Sequence, residues 1–109
     1  MSRDVLIRAG ANEIAHKWST NVPADHDCYW TVNGTPRQTE PGQYVWFVSP
    51  TLARIYAYSE IVALEDGKLW FRPLKEVDLE APKEPPTRGF TYCDPLLENI
   101  EWINEGELA

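Results

Sequence analysis

Five tryptophans stand in 109 residues, and core packing alone rarely asks for so many, because an indole N–H needs a hydrogen-bond partner once it leaves water. Trp46 lies inside the apolar run Tyr44-Val45-Trp46-Phe47-Val48, and Trp102 sits near the C-terminus. Both read as packing residues. Trp18, Trp30 and Trp70 each lie beside polar residues at an element end or on a mixed face, so for these three an exposed or pocket-lining role stands beside packing as an alternative.

A second group invites metal or nucleophile chemistry. Asp25-His26-Asp27-Cys28 gathers ligand-type side chains in one stretch, but lacks the paired spacing that lets two ligands from one turn reach the same ion. His16 and Cys93 would have to complete a zinc site or a Cys–His pair from elsewhere, and a plain polar loop is the simpler reading. Cys28 and Cys93 are far apart in the sequence and are expected as reduced thiols. Glu60 and Glu65 have no second carboxylate at a telling spacing, and the chain holds no Gly-rich phosphate loop, nucleophile elbow or H-E-x-x-H helix. No catalytic residue, metal or cofactor is assigned, and an enzyme is the weaker expectation.

The elements that must position these residues follow from pattern and punctuation. Val5-Leu6-Ile7 reads as a strand entering the turn Ala9-Gly10-Ala11-Asn12. Asn12 is expected to cap a brief helix over Glu13 to Lys17, with Glu13 at the positive end of its dipole. The stretch from Asn21 to Gly42, rich in Pro, Asp, Asn, Thr and Gly, reads as a long loop carrying a short strand at Cys28 to Val32. Behind the turn signal Pro41-Gly42, the run Tyr44 to Val48 is apolar at every position, as a strand covered on both faces should be.

Arg54 to Leu64 reads as a strand, and Asp66-Gly67 as the loop of a hairpin that places Glu65 opposite Lys68 and Leu64 opposite Leu69. That register puts Val62, Leu64, Leu69 and Phe71 on one face and Ile61, Ala63, Trp70 and Arg72 on the other. Residues 78–89 hold Pro82, Pro85 and Pro86 and read as an extended connection, leading to a closing strand at Arg88 to Tyr92. Asp94-Pro95 is a cap and first turn for a C-terminal helix over about 95–105, with Leu96, Ile100 and Ile103 on one stripe and an acidic outer face.

Composition sets the outer bounds. With 43% hydrophobic and 25% charged residues the chain reads as one globular domain over 1–109. Its longest apolar run falls far short of the ~20 residues of a membrane helix. The polar start Met1-Ser2-Arg3-Asp4 lacks a secretory apolar region. A cytoplasmic protein without membrane partners is therefore expected.

Seventeen acids against ten bases give a net charge of −7, which by itself argues against general attraction to nucleic acid. The distribution softens this: five acids and no base lie between Asp94 and Ala109, leaving a net of −2 in the first 93 residues. Scarce Lys beside abundant Glu would also suit a high-salt cytoplasm.

The order strand, turn, short helix, Trp-Ser-Thr, long loop, Pro-Gly, apolar strand, long strand, hairpin resembles the PUA-like superfamily of small pseudo-barrels that bind or act on nucleic acids. Val5-Leu6-Ile7-Arg8 and Lys17-Trp18-Ser19-Thr20 are similar to the first strand and the Trp-Ser/Thr-Thr step of YTH domains, and Pro41 to Phe47 is similar to the Pro-Gly-Asp step and strand of EVE-like and ASCH-like domains. The likeness covers roughly residues 5–75. It implies an α+β fold: a bent mixed β-barrel over about 4–93, with a short helix after the first strand and a C-terminal helix. It further implies that Trp18 is one wall of an aromatic pocket for a flipped, often methylated base, with Ser19 at the base edge. Trp70 would be the second wall, in competition with Tyr29 and Trp30, and Asn12 would match a base-reading position. The ASCH signature Gly-x-Lys-x-x-Glu-x-Arg is absent, which lowers a ribonucleolytic role, and the chain is shorter than most EVE and YTH domains.

Physics permits such a reader on conditions. Extracting a base costs a few kcal/mol and each base–aromatic contact returns about 1–3 kcal/mol, so two walls offset extrusion and one does not. Phosphate contacts would fall to Arg37, Arg54, Arg72 and Arg88, although each taken singly reads as a surface charge or salt-bridge partner. Binding would be weak and salt-sensitive. The expected partner is single-stranded or flipped-base RNA or DNA. The alternatives are a protein-interaction module using the acidic C-terminal helix, and an acidic mimic of a duplex.

Overall fold

In a computed structural model of the chain, the described residues are 3–23, 25–32, 39–51, 54–65, 67–82, 90–94 and 96. Arg37, Arg88, Trp102 and the C-terminal helix expected over 95–105 lie outside them. The elements in order are β1 (Asp4–Arg8), α1 (Ala11–Ile14) running into a 3₁₀ turn (Ala15–Lys17), β2 (Cys28–Thr31), β3 (Tyr44–Val48), β4 (Arg54–Glu65), β5 (Lys68–Phe71), β6 (Lys75–Glu80) and β7 (Phe90–Cys93). This is a small, sheet-rich mixed α+β fold. Among the described residues no helix is long and apolar enough to cross a membrane.

The sheet runs β2-β5-β4-β3-β1-β7, with β6 also pairing β4. β1 and β3 are parallel, and the remaining pairs are antiparallel. Among the described residues no rung joins β2 to β7, so the closed barrel expected from the resemblance is not seen: β7 borders β1 at one edge instead of closing the sheet. The long hairpin explains the shape. β4 pairs with β5 through its C-terminal half and with β6 through its N-terminal half, so β5 and β6 are one returning strand interrupted at Arg72-Pro73-Leu74.

Both faces of β1 and β3 are buried. Val5, Ile7, Val45 and Phe47 join a main cluster with Ile61, Leu69, Phe71 and Leu74. Leu6, Trp46 and Val48 join a second cluster with Ile55, Tyr58, Val77 and Cys93 on the opposite face. That is why the runs 5–7 and 44–48 carry no alternation, and Trp46 is a core residue as its neighbours imply. The second cluster is organised by a fully buried carboxylate. Asp4 accepts hydrogen bonds from Gln43 Nε2 (2.9 Å), Tyr44 N (3.1 Å), Trp46 Nε1 (2.8 Å) and Leu96 N (3.2 Å). Four donors supply what water would have supplied, which is the condition for burying such a group.

Three local expectations need correction. Asn12 does not cap α1: Gly10 holds the cap position, the Glu13 carboxylate accepts the Gly10 N–H at 2.6 Å, and Asn12 lies exposed inside the helix. The hairpin register is as read at Leu64↔Leu69 and Glu65↔Lys68, but a bulge between Ile61 and Ala63 pairs Ile61 with Phe71. The extra residue moves Ile61 onto the apolar face with Leu69 and Phe71, where it is fully buried. Finally, β6 reaches into the segment read as a connection, because the prolines begin only at Pro82, beyond its last residue Glu80.

Candidate functional site

The interruption in the returning strand shapes the site. Arg72 N still bonds to Glu60 O at 3.0 Å, but Leu74 turns its backbone away from β4: its N–H donates to Lys17 O (2.8 Å) and its carbonyl accepts Ser19 N–H (2.9 Å). Trp18 is thereby bridged to Leu74 in parallel fashion. Trp18 O in turn accepts Asn21 N–H (2.8 Å) and Val22 N–H (3.0 Å), and Asn21 Nδ2 bonds to Ala15 O at 3.0 Å. Residues 15–22 are fixed as a ledge opposite β2.

Between ledge and strand lies an open cleft of about 650 Å³, lined by His16, Lys17 and Val22 on one side and by His26, Asp27 and the β2 residues Cys28, Tyr29, Trp30 and Thr31 on the other. Trp30 forms its aromatic wall. The ring packs edge-on against Phe47, centroids 5.4 Å apart, and the Lys17 ammonium lies 5.8 Å from its centroid. Lys17 Nζ also lies 2.7 Å from His16 Nε2, within hydrogen-bond distance. Burial pulls the Lys17 pKa below its ordinary value, with Cys28 opposing. Burial pushes the Cys28 thiol up, against the pull of Lys17, with Asp27 adding to the rise. The thiol, directed at Lys17 O (3.8 Å), therefore favours its neutral form. Both cysteines are buried, and among the described residues no three His, Cys, Asp or Glu side chains converge as metal ligands.

The outer face of β2 and β5 carries a second aromatic group. Tyr29 opposes Trp70 across the ladder, their centroids 5.1 Å apart, and the Lys68 ammonium stands 4.7 Å from the Tyr29 ring and 5.9 Å from Trp70. Trp70 Nε1 is buried, and among the described residues it has no hydrogen-bond partner.

The residues expected to form a site are thus divided. Tyr29 and Trp30 line the cleft and Trp70 lies behind Tyr29. Trp18 is half-buried against the main cluster and is not among the cleft-lining residues; Ser19 and Asn12 are exposed outside that lining. Arg72 reaches the cleft rim through Asp27 at 3.5 Å, whereas Arg54 pairs with Asp78 at 2.8 Å at the far end of β4. Lys17 and Lys68 were not singled out from the sequence as binding residues, and His16 was weighed only as a distant completion of a metal or Cys–His site. Lys68 had a usable signal, since the hairpin register fixes its face, but its meeting with Tyr29 depends on the β2–β5 pairing, which no local pattern marks. Comparisons with protein-family profiles, curated proteins and solved structures returned no match, so the functional reading rests on this geometry.

Proposed function

We propose that the chain is a nucleic-acid-binding module that takes an unpaired base into the cleft between the ledge and β2. The observation that carries this is an indole wall, Trp30, with a lysine ammonium 5.8 Å from its ring centre in an open cleft of about 650 Å³. That volume falls within the roughly 300–1,000 Å³ of small-ligand sites. Lys17 and Arg72 are the cations at hand for a phosphate. The Arg72–Asp27 pair is a solvent-exposed one at 3.5 Å, of the kind worth about 0–1 kcal/mol, so a phosphate can compete for the guanidinium.

A single indole wall returns about 1–3 kcal/mol against an extrusion cost of a few kcal/mol. The reading therefore favours single strands over flipping from a duplex, and moves the principal wall from Trp18 to Trp30. The PUA-like likeness and residence in the cytoplasm belong to the same proposal.

Titration of tryptophan fluorescence with short single-stranded RNA and DNA, plain and base-methylated, tests it. Binding that weakens about tenfold in Trp30→Ala is expected, from the lower part of the stacking range. No binding by any strand at low salt, or full affinity in a folded Trp30→Ala protein, would overturn it.

A further inference from the structure

We infer that the site accommodates two successive nucleotides, the second base stacking on Tyr29 at the outer face of β2 and β5; this rests on the reading of the cleft as a base site. Tyr29 is the one large hydrophobic side chain that is exposed among the described residues, at 45%. It belongs at once to the cleft lining and to the outer aromatic group, so a strand leaving the cleft meets this ring next. Trp70 is a prop rather than a second wall, because its ring packs against Tyr29 from the neighbouring strand and its indole N–H is shut away from solvent.

The cation beside the ring points to the occupant. Lys68 holds its ammonium 4.7 Å from the Tyr29 centroid, and among the described residues no ion pair engages it, although Glu65 shares its rung. A lysine resting on a solvent-exposed ring is held weakly, and a stacked base outweighs it. Its flexible stem then lets the displaced ammonium turn to the phosphate joining the two nucleotides. Thr31, exposed on the same rung as Lys68, adds a hydroxyl donor. An aromatic ring with one adjacent mobile cation suits a base followed by its phosphate, whereas an acidic peptide would use the cation and leave the ring idle.

The test compares a nucleoside 5′-monophosphate with the corresponding dinucleotide, by calorimetry, in the intact chain and three variants. In the native protein the dinucleotide binds about tenfold tighter than the monophosphate. Trp30→Ala weakens both ligands and keeps their ratio. Tyr29→Ala brings the ratio close to one, and Tyr29→Phe restores it, which separates loss of the ring from loss of fold. A native ratio near one, or a ratio unchanged in Tyr29→Ala, overturns the two-nucleotide inference while leaving the cleft reading standing. Failure of the monophosphate to bind at all removes the cleft reading and the inference with it.

Discussion

Trp46 and Trp30 occupy the same protein in opposite conditions. Trp46 is fully buried, stacked on Tyr58 at 5.1 Å and 17°, with its N–H given to Asp4 at 2.8 Å. Trp30 is half-buried, meets Phe47 in a T-shaped contact, and lines a cleft in which the Lys17 ammonium lies 5.8 Å from its centroid. One indole has spent its ring face and its donor inside the fold; the other still has a ring surface to offer a ligand. Tryptophan number marks neither role, and what separates them is whether a buried acceptor waits for the N–H.

The sharpest way to break this contrast is to remove that acceptor. Asp4→Ala leaves the N–H groups of Gln43, Tyr44, Trp46 and Leu96 without their partner. A loss of about 3–5 kcal/mol is expected in urea denaturation. A loss under 1 kcal/mol would mean that the carboxylate does not organise the second cluster. Trp30→Ala should cost less, about 1–2 kcal/mol, because its ring is only partly removed from water. If the two substitutions prove equally damaging, Trp30 is a core residue and the contrast fails.

Smaller again is Tyr56→Phe, which deletes the hydroxyl donated to Ala9 O and should cost about 1 kcal/mol. Burial, with Glu13 adding to it, pushes this hydroxyl up to about 12. The folded state thus holds the proton more tightly than the unfolded chain, so the contribution is complete below pH ~10 and disappears as pH rises through about 12. The variant should show a flatter stability profile in that window. Arg54→Ala, breaking the exposed pair with Asp78, should change stability by less than about 0.5 kcal/mol and leave nucleotide affinity untouched, since this Arg lies at the far end of β4. A clear loss of affinity would relocate the phosphate path.

What could be read beforehand follows from the range of the interactions. The register Leu64↔Leu69 was legible because Asp66-Gly67 encodes it locally, and the burial of both faces of 44–48 was legible because polar residues are missing there. The bulge at Ile61 was not, since one inserted residue leaves composition unchanged yet reverses a face. Asp4 looked like a polar N-terminal residue, because its four donors come from remote positions. The ledge was hidden for a similar reason: Pro73 marks a break in the returning strand, but nothing near it says that Leu74 will pair with Trp18. Tyr29 and Trp30 were visible as aromatics on opposite faces of a strand, and only the pairing of β2 with β5 decides what each face meets.

The placement of β1 has a consequence for how the molecule comes together. It is flanked by β3 and by β7, with Asp4 opposite Cys93, so its set of neighbours is complete only once β7 has docked. The β4–β5 hairpin closes over a short loop and can form early. Assembly should therefore begin around the β3–β4–β5 strands and finish when β1 is captured between β3 and β7, a slow step set by long loop closures.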